Sequence, residues 1–430
     1  MGKNEGGGFV KRKTRSLLRT ITSWIMVSLM LQFAFYYFLN YKVEGIMAPV
    51  NAQPIVVKSL ETEIPGTNLE NLQLSYGKDY LAYQENGVLK VYNLKQEKVV
   101  FEKSPQGESK YDMGPIYYQW LPDRDTLVYF YARKNPNPTT TVVVPVEEEP
   151  TEQGSSGSNN TSAEPDAVED PNQAPPQNPV KKTPKTRTEV RYNNPQITEV
   201  YTLELPPSDE EETAPDDRYN RSIDSFPAVG QIKQMVVSTF TNKLYLALED
   251  KGKFQLMEID IMKNVRTLNQ AGEVITQMAA SDKFGTLYAK STSGKSERII
   301  ALQGWNREVV SDDADDVILG NREGMLYLGN IKDNKLVNIR SGEENSEEKN
   351  LKFKTIWEGS IPYDDAKGVI IGDNREIIVY DDLTAYIIKE GSDKEIKLDG
   401  EENYISSDGV EVIQVTRVGM STKVKLHPLQ

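Results

Sequence analysis

Short apolar runs alternate with polar turns along most of the chain, and two stretches show the pattern most clearly. VILGNREGMLYLG covers residues 317–329, and VIIGDNREIIVYD covers residues 369–381. In each stretch an apolar run ends at a glycine, a polar turn follows, and a second apolar run contains a tyrosine. Short β-rich runs separated by turn residues are typical of a β-hairpin. The chain therefore contains the same predicted hairpin twice.

The hairpin pattern recurs through the rest of the chain. Stretches 234–268 and 277–310 align with Tyr245 opposite Tyr288, and 74–101 is a compact version of the same unit. One apolar marker residue opens the second strand of each predicted unit. The markers are Leu81, Leu127, Leu244, Leu287, Leu326, Ile378 and Ile413, and the last four gaps between them are 43, 39, 52 and 35 residues. Repeats of about 40 residues with four short strands predict a β-propeller.

The predicted fold class is therefore all-β. Seven markers predict a propeller of seven four-stranded blades, with six or eight blades left open as alternatives. The last unit is one strand short at the C-terminus, whereas PIVVKSL at residues 54–60 is a β-rich segment without a partner. We expect this segment to complete the last blade and close the ring.

The repeat spacing and the order of strands resemble the β-propellers of the WD-repeat and TolB-like superfamily over about residues 54 to 429. The Gly-His and Trp-Asp signatures of WD repeats are absent from the sequence, and no specific family is identified. The resemblance implies that loops between the second and third strands share a face with the blade-to-blade connections. It also implies that ligands most often bind on that face, which is an analogy between folds.

The N-terminal region predicts a single membrane anchor. Residues 20–41 carry no charge, and as a helix they would reach roughly 33 Å, enough to cross a hydrocarbon core of about 30 Å. The predicted order is a basic cytoplasmic tail at 1–19, a transmembrane helix at 20–41, a linker at 42–53 and an extracytoplasmic propeller at 54–430. A cleaved signal peptide remains an alternative, because VNAQ at 50–53 has small residues suited to cleavage.

Charge predicts which way the anchor points. The first 40 residues carry a net charge of +5 and the remainder −19, within a total of −14. Basic flanks stay on the cytoplasmic side. The predicted localisation is the cell membrane, single-pass, with the N-terminus inside and the propeller outside. We expect no nucleic-acid partner for so acidic a domain, because like charges repel.

Two inserts interrupt the repeats. Residues 135–188 are rich in Pro, Ser, Thr, Asn and Glu and lack aromatic residues, which predicts a disordered insert. Residues 206–218 form a shorter acidic loop. We assign the strands on either side of the long insert to positions two and three of blade two. The insert should therefore overhang the expected binding face.

The residue inventory is poor in catalytic types. The chain has no cysteine and one histidine, His427, which argues against thiolate zinc sites and histidine-based triads. The segment 311–323 resembles a calcium loop but has Ala314 at a ligand position. The aspartate pairs at 364–365 and 381–382 are expected to serve turns. We predict no catalytic, cofactor or metal site and no enzymatic activity.

Two functions remain. The first is a membrane-tethered protein-binding or assembly scaffold of the bacterial cell envelope, with another envelope protein as its partner. The alternative is a carbohydrate-binding or carbohydrate-active propeller, with polysaccharide as its partner, and exposed Trp and Asp around the central opening would favour it. The chain has only four tryptophans, Trp24, Trp120, Trp305 and Trp357, which favours the scaffold.

Overall fold

The computed structural model describes residues 24–33, 35–36, 59–106, 113–145, 186–207, 213–228, 230–260, 264–344, 351–364, 367–389 and 391–429. The chain divides into two compact units, Met1–Ile55 and Val56–Gln430.

In the first unit, residues 24–33 and 35–36 are helical. Within the described ranges, no helix has both the length and the apolar character needed to span a bilayer. The predicted tail at 1–19, the linker at 42–53 and the ends of the predicted span at 20–41 lie outside those ranges.

The second unit contains seven four-stranded antiparallel sheets and one two-stranded ribbon in its described part. The prediction of an all-β propeller with seven four-stranded blades is confirmed. The sheets follow one another along the chain, and only the last includes a strand from the opposite end of the unit. The strand preceding blade 1 is β1 (Leu60–Pro65).

Blade 1 consists of β2 (Glu70–Leu74), β3 (Tyr80–Glu85), β4 (Val88–Asn93) and β5 (Lys98–Lys103); blade 2 consists of β6 (Pro115–Trp120), β7 (Thr126–Lys134), β10 (Gln196–Glu204) and β11 (Asp216–Ile223), with the ribbon strands β8 (Thr139–Pro145) and β9 (Thr186–Tyr192) between β7 and β10; blade 3 consists of β12 (Gln231–Ser238), β13 (Lys243–Asp250), β14 (Lys253–Ile259) and β15 (Val265–Thr267).

Blade 4 consists of β16 (Glu273–Ala280), β17 (Leu287–Ser293), β18 (Ser296–Gln303) and β19 (Asn306–Ser311); blade 5 consists of β20 (Asp316–Arg322), β21 (Met325–Lys332), β22 (Lys335–Glu343) and β23 (Phe353–Pro362); blade 6 consists of β24 (Gly368–Ile371), β25 (Ile377–Tyr380), β26 (Thr384–Lys389) and β27 (Ser392–Lys397); blade 7 consists of β28 (Glu402–Ile405), β29 (Glu411–Val418), β30 (Ser421–Pro428) and β1.

The first strands of successive blades contact one another from β2 through β24, so they line the centre of the ring. We name the four strands of a blade A to D from the centre outward. Because neighbouring strands are antiparallel, the A–B and C–D turns lie at one end of each blade. The B–C turns and the connections to the next blade lie at the other end. We call these the A–B face and the B–C face.

The core is divided among the interfaces between blades. Seven clusters of buried apolar side chains occur in the described part, one for each pair of neighbouring blades. Each predicted marker residue lies in the second strand of its blade. All of them are buried except Leu244, which is half-buried. The inner strands are near-continuous apolar runs, as in β7, where the first seven residues are all buried. Such runs pack both faces of a blade against its neighbours.

Blade 7 is built from both ends of the propeller. β1 pairs antiparallel with β30, from Leu60 opposite Leu426 to Pro65 opposite Ser421. The prediction that an N-terminal strand completes the last blade is confirmed, but its position at 54–60 was wrong. Ile64 decides the register, because it is fully buried among side chains of blades 7 and 1. PIVVKSL ends where the observed strand begins, and most of it lies outside the described residues.

The long insert is ordered at both ends. β7 and β10 pair directly, which confirms that the flanking strands are positions two and three of blade 2. Between them, β8 and β9 pair antiparallel from Thr139 opposite Tyr192 to Pro145 opposite Thr186. The prediction of disorder across 135–188 was wrong for these ends, because β-branched Thr and Val residues favour a strand whatever the average composition of the insert. Residues 146–185 lie outside the described part.

Removing β1 tests the closure of the ring. A chain that begins at Ser59 retains the whole strand and should be soluble and monomeric. A chain that begins at Gly66 should aggregate, because it leaves the edge of β30 unpaired and uncovers the apolar cluster around Ile64. Size-exclusion chromatography with light scattering measures both. Equal behaviour of the two chains would show that β1 contributes nothing to closure.

Candidate interaction site

On the A–B face, the turns of neighbouring blades hold each other. One such contact lies at the seam between blades 7 and 1, where Lys78 forms ion pairs with Asp408 at 2.6 Å and with Glu411. All three side chains are about nine-tenths buried or more. The Oγ of Ser406 lies 2.6 Å from Asp408 Oδ1 and 3.1 Å from Glu411 Oε2, so its one hydroxyl hydrogen is shared between the same two carboxylates. One buried cation thus bridges two buried carboxylates across the seam.

The next contact around the ring joins blades 1 and 2. The backbone N–H of Gly77 donates to Asp125 Oδ1 at 2.6 Å. A Cβ at position 77 would lie 2.5 Å from the other carboxylate oxygen, so any other residue would force the Asp125 side chain to shift. Burial raises the pKa of Asp125, and the Gly77 N–H partly opposes that rise.

Similar contacts continue through blades 4 to 7. Asp282 accepts the backbone N–H groups of Glu323 and Gly324 at 2.8 and 3.1 Å. Arg322 forms an ion pair with Asp373, and the backbone N–H of Asp373 donates to the carbonyl of Asp408 at 3.3 Å. The charges of these turns are therefore occupied in joining blades.

Tyr76 lies near the middle of this face. Burial raises the pKa of its phenol, and the negative charges of Asp373, Asp408 and Asp123 raise it further, while Arg322 opposes them. These groups come from blades 6, 7, 2 and 5, so Tyr76 faces several blades at once. The phenol is hard to ionise, which makes it a hydrogen-bonding group at neutral pH.

Glu344 is a buried acid between blades 4 and 5. It follows β22, and its carboxylate accepts hydrogen bonds from the hydroxyls of Ser281 and Tyr288 in blade 4. Burial raises the pKa of Glu344, and the two hydroxyls only partly offset that effect.

On the B–C face, acids at the start of two central strands are paired within their own blades. Glu273 in β16 is bound by Arg307, and Asp316 in β20 by Arg340. Burial works to raise the pKa of Glu273, but the hydrogen bonds from Arg307 and Ser291 outweigh it, and the net shift is downward.

Several side chains weighed for chemistry in the sequence have structural roles here. Asp316 belongs to the calcium-like segment and also accepts from Ser311 at 2.5 Å. Asp381 accepts the N–H groups of Leu383 and Thr384, each at 2.8 Å, which confirms its role in a turn. His427 lies in β30 and its Nδ1 contacts the carbonyl of Pro428 at 3.0 Å. No group of three or more potential metal ligands occurs among the residues described.

A groove on the B–C face runs between blades 3 and 4. It has a volume of about 590 Å³ and is lined by Leu248, Phe254, Asn269, Gln270, Val274 and Pro227. A smaller groove of about 320 Å³ opens on the A–B face between blades 1 and 2, beside Tyr80 and Pro206.

The B–C face also exposes apolar side chains at its turns. Met420 in the B–C turn of blade 7 is 90% exposed, and Leu383 in the B–C turn of blade 6 is 68% exposed. On the A–B face, Phe240 and Trp305 are also well exposed. Trp120 and Trp357 are buried core residues, so the exposed tryptophan cluster expected of a carbohydrate site is not formed by them.

The ribbon of β8 and β9 lies on the B–C face, because it is inserted between the second and third strands of blade 2. One of its sides carries Thr139, Thr141, Val143, Thr188, Val190 and Tyr192, all exposed. Tyr192 is 86% exposed, Val143 61% and Val190 57%. The opposite side carries Thr140, Val142 and Val144 of β8 together with Arg187, Glu189 and Arg191 of β9. The sequence analysis missed the ribbon because it used the average composition of residues 135–188. The run TTTVVV at residues 139–144 does favour a strand.

The base of the ribbon is fixed to the ring. The side chain of Asn135 donates to the carbonyl of Asn194 at 2.7 Å. The side chain of Asn194 donates in turn to the carbonyl of Phe226 at 2.7 Å, on the connection to blade 3. Phe226 is buried and Pro227 lines the groove, so the ribbon and the groove are adjacent parts of one surface.

An aromatic cluster stiffens blade 2 beneath the ribbon. Tyr129 and Tyr201 stack with ring centroids 5.0 Å apart, and the Nζ of Lys103 from blade 1 lies 4.4 Å from the Tyr201 centroid. Lys103 also pairs with Asp217 at 2.9 Å. Cation–π contacts of this kind are worth about 0.5–2 kcal/mol. They bind the outer part of blade 2 to blade 1.

No family model matches the chain, and no curated protein matches it. Among solved structures, the Cps50 (Swd1) β-propeller domain of Myceliophteria thermophila is similar over 86% of this chain and 100% of that chain, with 11% identity and a TM-score of 0.45. TolB from Acinetobacter baumannii is similar over 86% of this chain and 80% of that one, with 7% identity and a TM-score of 0.35. The WD40 domain of SCAP from fission yeast covers 86% and 93%, with 9% identity and a TM-score of 0.39. Because these sequence identities and TM-scores are low, the blade count is taken from the seven sheets of this chain itself.

Replacing Lys78 tests the seam between blades 7 and 1. Lys78→Met should lower the free energy of unfolding by about 3–5 kcal/mol, because it leaves two buried carboxylates without their cation. Lys95→Met is the matched control. Lys95 pairs with Asp79 but is 57% exposed, so its loss should cost less than about 1 kcal/mol. Chemical denaturation at pH 7 measures both, and equal losses would contradict the structural role of Lys78.

Replacing Glu344 tests the effect of burial on stability. Its pKa is raised in the folded protein above the usual value of 4.5, so folding binds a proton and the contribution of Glu344 to stability falls as pH rises through the folded pKa. The unfolding free energy of Glu344→Gln, relative to wild type, should therefore increase between pH 4.5 and pH 8. Glu343→Gln, at an exposed neighbour, should show no such trend. Parallel curves for the two variants would contradict this account.

Proposed function

We propose that this protein is a membrane-tethered β-propeller that holds another protein at the outer side of the bacterial cell membrane. The observation that carries the proposal is the ribbon, whose uncharged side exposes Val143, Val190 and Tyr192 to solvent. Isolated surface apolar residues are ordinary, but an apolar side of a projecting element is typical of a protein-binding site. The groove and the apolar turns lie on the same face of the ring.

The two faces support different roles. Charged groups in the A–B turns are used to hold neighbouring blades together, and their replacement would weaken the ring. The ribbon can be altered without disturbing the seven blade interfaces, because its residues belong to none of the apolar clusters. A surface that makes no contacts between blades is suited to binding a partner protein.

The chemistry of the partner follows from the ribbon and from the net charge. Against the ribbon, the partner should present an apolar or aromatic patch. Around that patch it should carry basic residues, because the chain beyond residue 40 has a charge of −19 and opposite charge speeds encounter. A tether through residues 20–41 would raise the local concentration of any partner in the same membrane.

Crosslinking on intact cells tests partner, topology and site together. A membrane-impermeant crosslinker should join the propeller to one or a few envelope proteins, with a yield that falls as salt rises. Val190→Lys should lower that yield at least about tenfold, a cost typical of a central interface residue. Val144→Lys, on the opposite side of the ribbon, should change it little.

Three outcomes would count against the proposal. Failure of the crosslinker to reach the propeller would exclude the outside location. Equal yields from the two variants would exclude the apolar side of the ribbon as the site. Turnover of a polysaccharide by the purified protein, with no protein captured, would favour the carbohydrate alternative.

A further inference from the structure

The two strands of the ribbon differ in how their outer edges are protected. β9 carries Arg187, Glu189 and Arg191, whereas residues 139–144 of β8 are three threonines followed by three valines. Natural sheet edges are usually blunted by charge, by proline or by a covering element, because bare edges pair with other strands. In the described structure β8 pairs only with β9, and proline enters the strand only at its last residue.

The pairing of β8 with β9 decides which backbone groups point to that bare edge. The N–H of Asn193 donates to the carbonyl of Pro138 at 2.9 Å. Continuing this register, the even-numbered residues of β8 bond to β9, because bonding alternates along an antiparallel ladder. The N–H and C=O groups of Thr139, Thr141 and Val143 therefore point outward, and so does the ring nitrogen of Pro145, which has no hydrogen to donate.

A ribbon with only two strands is a marginal structure. Two-stranded hairpins are barely stable in water, and independent stability usually needs three or more strands. One side of this ribbon is exposed along its whole length, so packing against the propeller does not supply the missing stability on that side. Extra strands at the β8 edge would supply it.

We propose that β8 pairs antiparallel with β8 of a second copy of this chain, about a two-fold axis that passes between the two Thr141 residues. The axis stands perpendicular to the sheet, so each side of the ribbon continues into the same side of its mate. In this register Thr141 lies opposite Thr141, and Thr139 lies opposite Val143. All the outward backbone groups then bond in pairs, giving about six main-chain hydrogen bonds.

Charge favours a second copy as the occupant of this edge. The chain is strongly acidic, yet neither the residues of β8 nor those of the exposed apolar side carry a charge. The two arginines lie in β9, one strand away from the contact, so like charges do not meet across it. The self-pairing therefore brings two acidic chains together at an edge that carries no charge.

The proposed assembly stops at two copies. The four-stranded sheet runs β9, β8, β8, β9, and its outer edges carry the charged residues of β9. Two-fold pairing uses the β8 edge of both copies and leaves no further bare edge for growth, so a closed dimer forms rather than a fibre. The dimer would double the apolar side built from Val143, Val190 and Tyr192.

A proline at each edge tests the proposal. Thr141→Pro removes an outward N–H and leaves the hydrogen bonds between β8 and β9 in place. An edge strand tolerates proline at such a position. It should weaken self-association of the full chain in detergent by at least about tenfold. Thr188→Pro removes an outward N–H from β9 in the same way and should leave the dimer unchanged. Analytical ultracentrifugation over a concentration series measures both.

Cysteine crosslinking supplies an independent readout, because the chain has no cysteine. A Thr141→Cys protein should form a covalent dimer with a short bismaleimide, whereas Thr188→Cys should not. A protein that stays monomeric at every concentration, or that crosslinks equally through position 188, would overturn the self-pairing. A third result would also overturn it: the wild-type protein is monomeric, and Thr141→Pro abolishes its crosslinking to a different protein. In that case the edge of β8 would bind that other protein and not a second copy. These measurements use the purified protein and do not depend on an envelope partner.

Discussion

The pairing of β1 with β30 is the constraint on which the rest of the ring depends. Every blade buries both of its faces against neighbours, so an open ring would expose two apolar surfaces where blades 7 and 1 now meet. β1 closes that gap by adding the fourth strand of blade 7 and by burying Ile64 in the cluster shared with blade 1. Lys78 binds the same seam from the A–B face. Both contacts join residues far apart in sequence, so closing the ring loses chain entropy that the other blade pairs do not lose.

The two faces of the ring differ in what their loops contact. Turns on the A–B face are short and meet near the centre, so their charges reach the adjacent blade. Asp125, Asp282 and Asp373 each contact a turn of the next or preceding blade. On the B–C face, the ribbon in the long insert of blade 2 belongs to none of the apolar clusters between blades. The ribbon there is fixed at its base by Asn135 and Asn194 and can present its exposed side without affecting closure.

Blade 2 shows how an insertion is accommodated without loss of the blade. β7 and β10 keep a full register across the point of insertion. The aromatic cluster of Tyr129, Tyr201 and Lys103 holds the outer strands to blade 1. Thus the blade that carries the projecting element is also the blade with added aromatic and cation–π contacts at its outer strands.

The sequence by itself predicted seven blades, with six or eight left open, the hairpin pattern that forms them and the need for a closing strand near the N-terminus. These follow from local rules, because alternation and turn residues repeat wherever a blade occurs. It placed the closing strand a few residues too early, since several β-rich segments compete there and only burial of Ile64 selects one. It also missed the ribbon, because the average composition of 135–188 outweighed the short run TTTVVV. Only the tertiary structure decided that Lys78 meets Asp408 and Glu411, that Glu344 is buried beside Tyr288, and that β8 pairs on one edge only within the described residues. Each depends on groups distant in sequence meeting, or failing to meet, a partner in space.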